Sequence, residues 1–265
     1  MTVAVVWFNE RFKQVWCAAD SRLSKGSGVL MDGGAKIFQV PVICHKEEGD
    51  LKWEIVGNYS FGFAFSGSST AALSTHAIVI SMTQNLVQRR GEAADISLED
   101  VANIFRFVGE RQIREMGGRL GAAEHQAACL FDCIVFGKCP KRETLLAYHI
   151  KTCITEALVF EVVEHVLHPG FCLSIGSGAD EFYAIRNEGE RNRAPLTVLD
   201  EMLKKSVRAD VGGCMQAGIV TEQGFKIFPL INKLEGGELI ASFLGIETDS
   251  VPLKGFDIGY QAIGT

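Results

Sequence analysis

Over residues 2–67 the apolar positions come in short runs rich in β-branched and aromatic side chains, a pattern of strands rather than helices. TVAVVWF (2–8) and VWCAAD (15–20) flank the turn NERFKQ and predict a hairpin. SRLSKGSG (21–28) reads as a loop. GAKIFQVP and VICHK predict short strands on either side of residue 40, and LKWEIVG and YSFGFAFSG predict two more beyond the charged loop KEEGD. The period then changes. From 68 to 90 apolar residues such as Leu73, Ala77 and Ile80 recur at helical spacing, with Ala72, His76 and Val79 beside them, and Ser68 or Ser69 can cap the start. Residues 96–118 predict a second long helix, opened by Ser97 with Asp100 and closed by Gly117 and Gly118.

Strands resume at 127–137, 144–151, 157–166 and 171–176. Two helices follow at 178–188 and 195–209, the second with Pro195 in its first turn. GGCMQAGIVT and FKIFPLIN, joined by EQG, predict a closing hairpin. A βαβ parallel sheet does not produce this order of strand blocks and helix pairs. The order predicts an α+β fold over residues 1–232: a four-layer αββα sandwich of two packed antiparallel sheets flanked by helix pairs. Residues 233–265 are Gly-rich, weakly periodic, and read as a C-terminal extension.

The chain has 265 residues, 47% hydrophobic and 22% charged, enough to build a core without metals or disulfides. A net charge of −6 and the lack of a basic block exclude nucleic acid and anionic membrane as expected partners. No apolar run is long enough to span a bilayer. Glu10, Arg11 and Lys13 interrupt what would be the apolar stretch of a signal peptide, so a cytoplasmic protein with reduced, buried thiols is expected. Cys129, Cys133 and Cys139 are spaced C-x3-C-x5-C, unlike the C-x2-C pairs of zinc sites. The histidines have no spacing suited to metal and read as loop or surface residues, so neither metal nor cofactor is expected.

Chemistry can sit where polar residues close apolar strands. Thr2 puts a hydroxyl directly behind Met1. Asp20 ends the second strand, either to cap a turn or to hold a charge. Lys36, between Ala35 and Ile37, either snorkels or is buried against a carboxylate. Gly67 and Ser177 stand at strand-to-helix junctions, where free backbone N–H groups converge. SIGSGADEF lacks the Gly-Lys-Ser/Thr ending of a phosphate loop and the third glycine of a dinucleotide fingerprint.

Taken together, Thr2 at the start, AADSR, the G-x-K-I of GAKI, a strand ending in FSGSS before a long helix and a strand ending in SIGSG before another resemble the N-terminal-nucleophile (Ntn) threonine peptidases. These are the proteasome β-type subunits and their bacterial homologues, and the bacterial relatives look closer. The resemblance covers about residues 2–232 in the same element order. It implies the Ntn-hydrolase fold, with Thr2 as nucleophile once Met1 is removed and the freed α-amine as base. Lys36 matches the family's active-site lysine, Asp20 the aspartate that pairs with it, Gly67 the oxyanion donor, and Ser177 the serine near the terminal amine. Arg22 shares the AADSR motif and reads as structural. Leu23, Phe38 and Phe65 align with the primary substrate pocket, which implies an apolar residue before the scissile bond.

One stretch departs from the family pattern, which has an aspartate and, three residues on, a serine before a Gly-Gly pair. RADVGG places Arg208 and Val211 at those positions, with Asp210 as the neighbouring substitute. The resemblance further implies a stacked-ring homo-oligomer, a peptide or unfolded-protein substrate and an ATPase partner. The leading functional reading is therefore a threonine endopeptidase working inside a closed ring. The alternatives are a catalytically silent chamber or scaffold, motivated by Arg208 and Val211, and an Ntn amidase acting on small amides.

Overall fold

The computed structural model describes residues 2–25, 28–49, 52–90, 95–120, 128–154, 158–189, 192–233, 239–259 and 262–264. β1 (Ala4–Asn9) and β2 (Gln14–Asp20) form a hairpin, β3 (Leu23–Lys25) and β4 (Gly28–Met31) a smaller one, and β5 (Ile37–Glu47) and β6 (Trp53–Gly67) a long third. Next come α1 (Ser69–Thr83), β7 (Leu86–Val87) and α2 (Leu98–Leu120), then β8 (Phe131–Cys139), β9 (Thr144–Ile154), β10 (Leu158–Val166) and β11 (Cys172–Ile175). α3 (Ala179–Arg186) and α4 (Pro195–Lys204) precede β12 (Met215–Thr221), β13 (Gly224–Phe228) and β14 (Leu230–Lys233). The chain closes with β15 (Leu239–Phe243), β16 (Ile246–Glu247) and β17 (Ile263–Gly264).

The protein is a mixed α+β structure dominated by sheets. One sheet runs β11-β1-β2-β12-β13, a second β10-β9-β8-β6-β5-β7, and a smaller third β16-β15-β14-β17. The period-2 pattern sets which face each residue joins. Ala4, Val6, Cys17 and Ala19 cluster with Ile37, Ala64, Ile134 and Phe136 of the second sheet. Val3, Val5, Trp7 and Trp16 point the other way, against Phe182 of α3 and Val198, Leu199 and Met202 of α4. On the second sheet Phe61, Phe63 and Phe65 cluster with Ala72 and Val79 of α1 and with Leu98 and Phe105 of α2. Each such aromatic contributes roughly 2 kcal/mol of burial free energy, so these faces fix the register of the strands that carry the site. Ser68 caps α1 by accepting the Ala71 amide at 3.4 Å. Ser97 and Asp100 cap α2 reciprocally, through amide bonds of 3.1 and 2.9 Å.

Several elements differ from the sequence expectation for identifiable reasons. GAKIFQVP and VICHK are one strand, β5, which runs straight through Pro41. Phe65 donates to the Lys36 carbonyl, so even-numbered residues of β5 bond β6 and Pro41 faces the opposite side. There β5 pairs only at Cys44 and His45, with β7, so no ladder bond is lost. LKWEIVG and YSFGFAFSG are likewise one strand, β6. The helix expected over 68–90 ends at Thr83, because Leu86 and Val87 are drawn into a parallel pairing with Cys44 and His45. α2 does not stop at Gly117 and Gly118 but continues to Leu120. Part of the expected loop 21–28 pairs instead as β3 and β4. FKIFPLIN splits at Pro229, and its second half, β14, joins the third sheet. α4 ends at Lys204 rather than 209, and Ser206, with φ of +47°, turns the chain away.

The histidines are not confined to loops: His76 is buried on α1, and His45, His149 and His165 lie on strands, while His125 falls outside the described residues. All eight cysteines are free thiols, but Cys214 is exposed rather than buried. Among the described residues no helix is long and apolar enough to cross a membrane.

Candidate active site

The chain start is pinned before β1 begins. The Val3 amide donates to Asp20 Oδ1 at 3.0 Å, and the Asp20 amide donates to the Val3 carbonyl at 3.2 Å. The pairing of β1 with β2 therefore runs to the last residue of β2. Thr2 is only 2% exposed, and its carbonyl accepts the Gly178 amide at 3.3 Å. Gly176 passes between Thr2 and the end of β6 with φ of +99°. A Cβ at that position would lie 2.1 Å from the Thr2 carbonyl oxygen and 3.2 Å from Ser66 Cβ, so glycine is required. This crossing brings Thr2 alongside Ser66, the residue before Gly67. Met1 lies outside the described residues.

Asp20 and Lys36 form an ion pair of 2.7 Å with both side chains 0% exposed. Isolating charges from water is costly unless every lone pair is used, and here it is. Asp20 Oδ1 accepts from the Val3 amide and Lys36 Nζ, and Oδ2 accepts from the Arg22 amide at 3.3 Å and the Gly212 amide at 3.0 Å. Of these four donors, three are backbone groups. The Lys36 amide donates to Gln216 Oε1 at 3.0 Å, and its carbonyl accepts the Phe65 amide at 3.3 Å. Burial pulls the Lys36 ammonium below the ordinary lysine range; Asp20 and, more weakly, Asp210 oppose the shift without reversing it. The result is a lysine that releases a proton more readily than an exposed one, tied to the residue next to Thr2.

Gly67 ends β6 with φ of +93°, and a Cβ there would come within 2.6 Å of the Leu130 carbonyl oxygen. Ladder alternation orients its amide. Ser68 donates to the Leu130 carbonyl and Phe65 to the Lys36 carbonyl, so the Gly67 N–H points to the β5 side, past the point where β5 has ended. Gly67 itself is exposed, which leaves room for a ligand backbone to approach.

On the other side of the chain start, Ser177 Oγ donates to Asp210 Oδ2 at 2.8 Å. Arg208 grips the same carboxylate, with Nε 2.9 Å from Oδ1 and Nη2 3.3 Å from Oδ2, and donates through Nη1 to Glu181 at 2.7 Å. Burial pushes the Asp210 carboxyl up, but the hydrogen bonds from Arg208 and Ser177 outweigh it and hold it below the usual range. Val211 is buried among apolar residues, and a Cβ at Gly178 would meet its side chain at 3.1 Å. So Asp210, not the residue at the strict family position, reaches Ser177. Arg22 bonds Asp32 through Nε at 2.6 Å and the Ala209 carbonyl through Nη1 at 3.0 Å, tying the β3–β4 hairpin to this loop.

The structure thus brings Thr2, Asp20, Lys36, Gly67, Ser177 and Asp210 around one locus. The three pocket candidates are less uniform. Leu23 packs on Gly34, two residues before Lys36, where a Cβ would lie 2.4 Å from its Cγ. Phe38 and Phe65 stack at 6.3 Å, and Phe38 lies 4.7 Å from the His76 ring. Phe65 is 1% exposed within the core under α1 and α2, so it offers a ligand no surface of its own. Sequence reasoning missed Gln216 and the part played by Arg208. A lone amide in the apolar run CMQAGIV was the available signal for the first; nothing local marked the second.

No family model matches the sequence, and no curated protein matches it. Solved structures do match in fold. One such neighbour is Anbu from Hyphomicrobium sp. strain MC1, solved as a Gly-1 mutant. It is 13% identical, with a TM-score of 0.55 over 86% of this chain and 84% of that one. Identity that low carries the fold and not the activity.

Proposed function

We propose that the protein is an N-terminal threonine hydrolase of the threonine endopeptidase type, with Thr2 as nucleophile after removal of Met1. The observation that carries the reading is the fully buried Asp20–Lys36 pair, whose carboxylate also holds the amide of Val3, immediately after Thr2. An ion pair this enclosed is a poor device for stability alone, since apolar replacements often do as well. Placed against a chain terminus carrying a hydroxyl, it has a chemical use.

In this reading the Thr2 hydroxyl adds to the substrate carbonyl and its proton passes to the α-amine. The depressed Lys36 ammonium lowers the proton affinity of the nucleophile. The Gly67 N–H, aimed past the end of β5, takes the developing oxyanion. Collapse expels the leaving amine with the proton from the α-amine and leaves an ester on Thr2. Water, activated by the same amine, then releases the acid and restores the hydroxyl. Ser177 and Asp210 hold the amine. The Ser177–Asp210 contact of 2.8 Å weighs against the silent-scaffold alternative, because the acid missing from the strict family position is supplied from Asp210.

The αββα layering belongs to the same reading and is supported by the three apolar clusters. So do a stacked homo-oligomeric ring, peptide or unfolded-protein substrates, an ATPase partner and a cytoplasmic site of action. An apolar residue before the scissile bond would meet Leu23 and Phe38. Intact mass is the first test: wild-type protein should lack Met1 and gain one adduct from a peptide boronate or epoxyketone, and Thr2→Ala should gain none. A chain that retains Met1, or labelling that survives Thr2→Ala, sinks the mechanism. Cleavage of small amides without cleavage of unfolded protein would point to the amidase instead.

A further inference from the structure

We propose that Gln216 is the positioning residue that sets the Lys36 segment for its chemistry, and that the C-terminal sheet acts on the site through it. The functional consequence rests on the hydrolase reading above; the structural content does not.

Lys36 lies just before β5. Gln216, 1% exposed on β12, reaches its backbone from the first sheet. Its neighbours Met215 and Ala217 face the α3–α4 side, so alternation turns Gln216 toward the second sheet. There its Oε1 accepts the Lys36 amide at 3.0 Å, and its Nε2 donates to the Gly34 carbonyl at 2.9 Å. One side-chain amide therefore spans the turn that delivers Lys36. Asp20, opposite Met215 on the adjacent β2, holds the other end of the same residue at Nζ. Lys36 is thus fixed at its backbone from β12 and at its tip from β2.

The second Nε2 contact reaches the extension. The Leu244 carbonyl accepts it at 3.4 Å from the turn between β15 and β16, where Leu244 has φ of +52° and Gly245 +89°. Gly245 also sits beside Gly33 and Cys214, so this turn closes over the Gly33–Lys36 segment. The charges that act on Lys36 include Asp20, Asp210, Arg22 and Asp32. Gln216 is neutral, so its influence is exerted by placement. If it were mere filler between the sheets, an apolar side chain of similar size would serve equally well.

The test uses the full chain with Gln216→Leu and Gly245→Val, folding being checked by circular dichroism. The Lys36 side-chain carbon next to Nζ is followed by NMR as it titrates, alongside hydrolysis of a fluorogenic peptide. In Gln216→Leu we expect the Lys36 titration to move toward that of an ordinary lysine, and kcat to fall by roughly tenfold to a hundredfold with KM nearly unchanged, the pattern of a displaced catalytic group. Gly245→Val should shift both in the same direction by less, on the order of twofold to threefold, since it disturbs only the longer contact. A Lys36 titration identical to wild type in Gln216→Leu overturns the positioning role. A shift there with none in Gly245→Val overturns the part assigned to the extension. If wild type hydrolyses nothing, the hydrolase reading fails, and the titration still decides the role of Gln216. Should Gln216→Leu not fold, Gln216→Met, neutral and of similar length, removes both amide contacts without adding a charge; it should shift the titration in the same direction, and no shift overturns the proposal.

Discussion

Two carboxylates flank the start of this chain and are held in opposite ways. Asp20 is completely enclosed, and three of its four donors are backbone amides, from Val3, Arg22 and Gly212. Asp210 sits nearer the surface, and the donors that grip its carboxylate from Ser177 and Arg208 are side chains. A carboxylate held by backbone cannot move without moving strands. One held by side chains can change its place in the sequence, provided the loop and its clamp change with it. RADVGG shows such a clamp: Arg208, two residues before Asp210, turns back to grip its carboxylate.

That contrast can be attacked experimentally. Under the hydrolase proposal the largest effect is expected at Thr2: Thr2→Ala should cut peptide hydrolysis by about 10³-fold or more with little change in melting temperature, measured on purified protein of verified N-terminal mass. On the rigid side, Asp20→Ala leaves Lys36 buried without its counter-charge, and chemical denaturation should show a loss of about 3–5 kcal/mol. If Asp20→Ala were tolerated within about 1 kcal/mol, the claimed rigidity would be gone. Gly67→Ala forces a left-handed backbone and a clash with Leu130, and should lower kcat by about 10²-fold.

The smallest effect belongs to the adjustable side. Arg208→Gln should cost about 1 kcal/mol at neutral pH, because its ion pairs are partly open to water. Its signature is in the pH dependence. The Asp210 carboxyl is held below its ordinary range despite burial, so it contributes stability above an unfolded pKa of about 4 that is lost as pH falls through the folded value. Arg208→Gln should raise that folded value and move the acid loss to higher pH. Equal acid profiles for wild type and Arg208→Gln would mean that the clamp does nothing.

The same contrast explains how much could be read in advance. The AADSR and GAKI stretches were legible as strand ends, but alternation left Asp20 and Lys36 with two readings each, and their pairing was implied by the family resemblance. The SIGSG turn was legible as a strand-to-helix junction, but the crossing of Gly176 between Thr2 and Ser66 was not. Asp210 was legible as the neighbouring substitute, but its reach to Ser177 was not. That reach depends on where α4 stops, and the apolar pattern continued past Lys204 to 209 although Ser206 turns the chain out. β5 and β6 read as fragments because Pro41 and the Gly57–Asn58 pair resemble turn signals. Which side of the ladder a missing N–H faces is invisible without the sheet. Gln216 stayed hidden for the plainest reason: its partners, Gly34, Lys36 and Leu244, are brought to it only by tertiary structure.

The amide of Gly212 reaches Asp20 across a sequence separation of 192 residues. Contacts of such span form late, after nearer pairings have paid for closing the loop. A nascent or half-folded chain therefore carries a hydroxyl at its tip but no enclosed charge pair beside it. The bond from Gly212 works as a latch: under the hydrolase proposal, competence at the tip arrives only when the Gly212 loop has docked.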